Sequence, residues 1–127
     1  MLYALLCYNN EDKVVSWTKE EDDAVMAKLT VVHDKLVKQG KFGPALRLLP
    51  TTAATTLHKN DDPPLIIDGP YAETKEQLLG FYVIEAKNLD DALDVARDLG
   101  KANPGGAYEI RPVGYFTPGS APRGSNP

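Results

Sequence analysis

Ten residues, DGPYAETKEQ at positions 68–77, set Asp68, Glu73, Lys75, Glu76 and Gln77 around a Gly69-Pro70 corner. Asp68 ends an apolar run, and the Gly69-Pro70 corner behind it is stiff, because glycine reaches backbone angles closed to other residues and proline fixes its own. A carboxylate held that way is placed to act as a general base. The same geometry lets an aspartate accept N–H bonds from its own turn, so a turn-making role stands beside the catalytic one. Thr74 and Gln77 have the spacing of a capping box, which predicts one helical turn whose first N–H groups could hold an anion. Glu73 and Lys75 are two apart and would not meet on a helix, so their partners must lie elsewhere. Glu109 and Arg111 in AYEIRPV alternate with Tyr108 and Ile110 and therefore share a strand face. Together the four charges form either a clasp that fixes packing or a polar pocket for an acidic or carbonyl-bearing small molecule. In the catalytic version Asp68 is the base, Glu73 positions the substrate, and Lys75 or Arg111 holds its anionic group.

Other candidates are dispersed. His33 follows Leu29 by four and precedes Leu36 by three, so it lies on or beside an apolar helical stripe and is a second candidate for proton transfer. Tyr8 and Tyr82 could lend hydroxyls or ring faces to a pocket, although strand aromatics more often fill cores. Arg47, between Leu46 and Leu48, reaches either solvent or an anion. Cys7 sits in an apolar run without a histidine nearby in sequence, which favours a small buried hydrophobe over a nucleophile. His58, beside the NDDPP turn, reads as exposed.

These residues need elements to position them. LYALLCY (2–8) is a strand ended by Asn9-Asn10. Thr18 opens a helix, with Glu21 completing a capping box, acidic residues in the first turn, and Gly40 as its stop. PALRLLP is strand-like, TAATTLHK and LIID form a hairpin, and LLGFYVIEA is the strongest strand. Asn88 caps a second helix that Gly100 ends, and AYEIRPV closes the domain. The order β-α-β, hairpin, β-α-β is that of an α+β ferredoxin-like sandwich, with helices on one face of an antiparallel sheet. Both faces of the strands are apolar, however: Leu79, Phe81 and Val83 point one way, Tyr82 and Ile84 the other. A second sheet must cover the outer face, so a homodimer joined through that face is expected. Residues 1–114 make one domain. Residues 115–127 are a Pro/Gly/Ser-rich tail, pinned along a surface or held by lattice contacts.

Composition narrows the partners. The 127 residues carry a net charge of −4 and scattered Lys and Arg, so neither nucleic acid nor an anionic membrane is expected. One cysteine and two histidines cannot build a Cys/His zinc site, and no nucleotide-binding or metalloprotease spacing occurs. No metal or organic cofactor is expected. The lone cysteine, the absence of a basic leader and the lack of a long apolar run point to the cytoplasm.

From MLYALLCY to RPV the chain resembles the DGPF branch of the YCII-related (YciI-like) family, most closely over DGPYAETKEQLLGFYVIEAKNLDDALDVA and EIRP. Tyr71 stands where the branch usually has Phe. The resemblance implies a dimeric α+β barrel on the ferredoxin-like plan. It implies a suspected enzyme with a His/Asp pair in a cleft, for which His33 is the histidine candidate. It also hints at regulation, since such proteins are often encoded beside alternative sigma factors. An unidentified small molecule is the expected partner, bound either for acid/base chemistry or by a non-catalytic regulatory module.

Overall fold

Strand β1 (Leu2–Asn9) alternates cleanly, with Tyr3 and Leu5 buried and their neighbours half-buried. A computed structural model describes residues 1–120 of the chain. Asn10 caps a short helix α1 (Glu11–Val15), and Thr18 caps the long helix α2 (Lys19–Lys38) through a complete capping box with Glu21. Strand β2 (Phe42–Arg47), a single 3₁₀ turn (Thr51–Ala53) and the strands β3 (Thr55–His58) and β4 (Leu65–Asp68) follow. Strand β5 (Gln77–Glu85), helix α3 (Leu89–Ala102) and strand β6 (Ala107–Pro112) complete the domain.

The main sheet has the order β2-β5-β1-β6 with every pairing antiparallel. Leaving out β3 and β4, this is the arrangement of a ferredoxin-like fold, with α2 and α3 on one face. The expected hairpin forms, but as a separate two-stranded sheet inserted between β2 and β5. Between helices and sheet lie Leu5 and Ile84 of the strands and Leu36 and Leu99 of the helices, almost wholly buried, each stabilising the fold by roughly 1.5–3 kcal/mol. The opposite face carries Ala4, Val83 and Arg111 in one row and Leu46, Phe81, Leu6 and Glu109 in the next. Among the described residues, no helix covers that face.

Four local expectations change. The Asn9-Asn10 turn is the start of α1, since Asn10 accepts from the Lys13 N–H and acidic Glu11 and Asp12 follow. Strand β2 begins at Phe42 and passes through Pro44, where the register with β5 shifts between Phe42 and Ala45. Residues 71–76 form no helical turn: Gln77 already belongs to β5 and its side chain donates back to the Thr74 carbonyl at 2.6 Å. Gly100 lies inside α3, whose cap is Asn103. The tail is irregular over residues 115–120, with Tyr115 exposed. The expectation that it is pinned reaches into residues 121–127, which lie outside the described residues. Among the described residues, no helix is long and apolar enough to cross a membrane.

Candidate functional site

A cavity of about 250 Å³ opens between α2 and the sheet, with mostly apolar walls. One row of the sheet forms its floor. Reading across the four strands, Arg47, Gly80, Cys7 and Tyr108 are successive register partners. The two central positions are the smallest side chains in the row, so a trough runs between a guanidinium and a phenol. Gly80 is required there, because a Cβ would run into the Leu46 carbonyl oxygen of β2. A register shift between Cys7 and Tyr8 turns the end of β1 and lets Tyr8 join the wall. Leu29 and Met26 of α2 form the roof, and Val14 and Trp17, in and just after α1, close one side.

Helix α2 places His33 beside the buried pair Leu29 and Leu36. Phe42 stacks on the imidazole with centroids 4.8 Å apart, and Tyr82 meets it edge-on with His33 Nε2 3.2 Å from the hydroxyl. Tyr82 donates when the ring proton is on Nδ1 and accepts when it is on Nε2. Burial lowers the His33 pKa below its ordinary value, opposed by the nearby Asp34 charge, so the ring is neutral near pH 7. Burial, and to a lesser degree Cys7, pushes the Tyr82 phenol up to about 12. The Cys7 thiol rises to about 11 through burial, so it is not a thiolate nucleophile. Tyr108 is raised as well, chiefly by burial and then by Cys7 and Tyr82, while Asn103 beside it weakly opposes the rise. Asn103 approaches the phenol, but no hydrogen bond of normal length and angle joins it to the hydroxyl. The Tyr108 hydroxyl is buried without a partner among the described residues.

At the mouth, Arg47 Nη2 lies 3.3 Å from Asp22 Oδ1. The wall that holds Trp17 is tied down from a distance. Glu11 donates its N–H to Gln77 Oε1 at 3.0 Å, and its carboxylate accepts from the Thr51 N–H at 3.0 Å and from the Thr51 hydroxyl. The DGPYAETKEQ stretch is thus joined through its last residue, Gln77, to α1 beside the cavity.

The structure brings His33, Tyr82 and Tyr8 to this cavity, with Arg47 and Cys7 beside them. It does not bring the acidic motif there. Asp68 and Glu73 line a separate, more open depression of about 460 Å³ together with Thr51, Pro70, Thr74 and Gln77. The corner after Asp68 is closed by Gly69 N–H to Ala54 O and by the Thr56 hydroxyl to Gly69 O, each at 2.8 Å. Lys75 is exposed. Glu109 and Arg111 lie on the uncovered sheet face, 3.8 Å apart and largely exposed. Among the described residues, Glu73 and Lys75 make no ion pair with them, so no clasp of these four charges forms within one chain. Tyr108 and Glu11 escaped sequence reasoning. Only the pairing of β6 with β1, which sets Tyr108 opposite Cys7, gives that phenol a role.

Comparison with known proteins adds the ancestry. The family model described as the YCII-related domain matches residues 1–117. A protein of Rhizobium meliloti (strain 1021), named only as an uncharacterized protein, is 55% identical over 123 residues, which cover 96% of this chain and 99% of that one.

Proposed function

This chain belongs to the YCII-related family, and on that premise we propose that it binds a small, largely apolar organic molecule in the cavity under α2. The DGPY residues, 68–71, are our ground for placing it in the DGPF branch. One observation carries the binding reading: a cavity of about 250 Å³ whose lining includes Tyr108, a residue whose buried hydroxyl lacks a partner among the described residues. Leaving such a donor unpaired costs about 1–3 kcal/mol, which a ligand oxygen would recover once the phenol turns toward the cavity. The ligand therefore bears a carbonyl or comparable acceptor.

Acid/base proton transfer is the chemistry the site supports. Neutral His33, locked by Phe42 and bonded to Tyr82, has a lone pair for a substrate proton or can relay one through the phenol. Tyr108 would meanwhile hold the carbonyl oxygen. A non-catalytic, ligand-responsive module is the second reading, favoured by Cys7, Tyr82 and Tyr108 all staying protonated, which leaves the pocket without a thiolate or phenolate. We also propose that two copies pair through the uncovered sheet face. That arrangement would bury Leu6, Phe81 and Leu46 and enclose Glu109 and Arg111. Asp68, Glu73 and Lys75 remain a charged rim on the inserted segment, available to position substrate or partner.

Acetophenone in D₂O separates the readings. Quenching of Trp17 emission on titration, lost in Tyr108→Phe, supports the pocket. Deuterium exchange into the methyl group that is lost in His33→Gln supports catalysis; binding without exchange supports the module. No binding by wild type rejects both.

A further inference from the structure

The cavity carries one full positive charge on its lining, Arg47, and its ion pair with Asp22 is a single contact. A guanidinium has five N–H donors. Among the described residues only one of Arg47's finds an acceptor, and both side chains remain partly exposed. Exposed pairs of this kind contribute little to stability, so the arginine is loosely committed to Asp22. Its backbone is not loose. Arg47 pairs with Gly80, and the missing Cβ there lets β2 lie close against β5.

The row Arg47–Gly80–Cys7–Tyr108 sets the ligand's dimensions. Neighbouring strands lie about 4.8 Å apart, so the two end residues are separated by roughly 14 Å of backbone. The Arg and Tyr side chains shorten that gap to the length of a one-ring molecule lying over glycine and cysteine. Such a molecule meets a fan of cationic donors at one end and a single neutral donor at the other. His33 is uncharged and supplies no competing positive charge.

We propose that the ligand is a small organic carboxylate with an acceptor at its far end. Its acid group docks on the free edge of Arg47, its flat body lies over Gly80 and Cys7, and its carbonyl or hydroxyl reaches Tyr108. This assignment rests on the pocket reading above and adds the ligand's charge and length. Guanidinium and carboxylate match bidentately, a geometry that lysine or a single hydroxyl cannot reproduce. Asp22 stays in place as a gate that disfavours dianions.

Calorimetric titration of the full chain with 4-acetylbenzoate and its uncharged counterpart 4-acetylbenzamide tests it. The wild type should bind the carboxylate at least about tenfold more tightly, the factor that a single charge-assisted contact supplies. Arg47→Gln should erase that preference, bringing the two probes to within about twofold of each other, since the charge-assisted contact is lost. Asp22→Asn should strengthen carboxylate binding and leave the amide alone. Tyr108→Phe should weaken both probes alike. Equal affinities in the wild type, or a preference that survives Arg47→Gln, would overturn the carboxylate assignment while the pocket stands. Failure of the wild type to bind either probe would overturn the pocket and the assignment together.

Discussion

Replacing Tyr108 by Phe should make the protein more stable. The hydroxyl oxygen has less than 1 Å² of accessible surface and no hydrogen-bond partner among the described residues. Folding therefore strips its water without a replacement, a penalty of about 1–3 kcal/mol. Phenylalanine keeps the ring against Gly100 of α3 and removes only the oxygen. Allowing for a small loss of contact beside the cavity, the net gain is about 0.5–2 kcal/mol. With a urea m value of about 1–3 kcal/mol/M for a domain of this size, the midpoint should rise by a few tenths of a molar to about 1 M at unchanged slope. Tyr82→Phe is the control. It removes a phenol that does have a partner, His33 Nε2 at 3.2 Å, and should cost about 1 kcal/mol. The pair should thus move in opposite directions. A midpoint for Tyr108→Phe lowered as far as that for Tyr82→Phe would mean that the hydroxyl is bonded in the free protein. The argument for a ligand acceptor would then fail. Stability gained together with binding lost is the signature of a group kept for a ligand at a cost to the fold.

Further outcomes follow from other parts of the molecule. His33 has a folded pKa below the unfolded value of 6.5, so between those two values the unfolded chain binds more protons. Stability should decline as pH falls through that window and level off below it, and His33→Gln should flatten the decline in urea titrations at stepped pH. Gly80→Ala forces a Cβ onto the Leu46 carbonyl and should detach β2, seen as loss of protection in hydrogen exchange across residues 42–47. Phe81→Glu places a charge beside Leu6 and Leu46 and should halve the mass measured by light scattering. A wild type already monomeric at micromolar concentration refutes the sheet-face pairing. Glu11→Ala removes the tie to Thr51 and should red-shift Trp17 emission without changing the thermal midpoint by more than a few degrees.

Much of the fold was legible because its signals are local. Thr18 and Glu21 cap α2, and Asn88 caps α3 with its side chain accepting from the Asp91 N–H, as their spacing predicts. The two-sided apolar pattern of β1 and β5 is real: Leu5 and Ile84 are buried under the helices, and Phe81 and Leu6 stand on the other face. The site was less legible. The charged motif does not mark the cavity: Asp68, Glu73 and Lys75 sit on an inserted segment away from the helix-covered side. Thr74 and Gln77 have capping-box spacing but serve a strand entrance, because the Gln77 side chain is used by Thr74 and Glu11. Tyr108 carried no role in the sequence, since strand alternation cannot show whether a hydroxyl finds a partner.

The tie at Glu11 carries a consequence for the order in which the molecule assembles. Its bonds span 66 residues to Gln77 and 40 to Thr51. Contacts so distant in sequence require loop closure first, and slow folding is the usual correlate. Strand β5 must find β1, and the inserted hairpin must be in place, before α1 and Trp17 have anything to hold. The floor of the trough is therefore laid with the sheet, and its side wall is set last. What closes last through few bonds also opens at least cost, so sub-global opening should release α1 before any strand. A guest molecule then has a way in that leaves the sheet undisturbed.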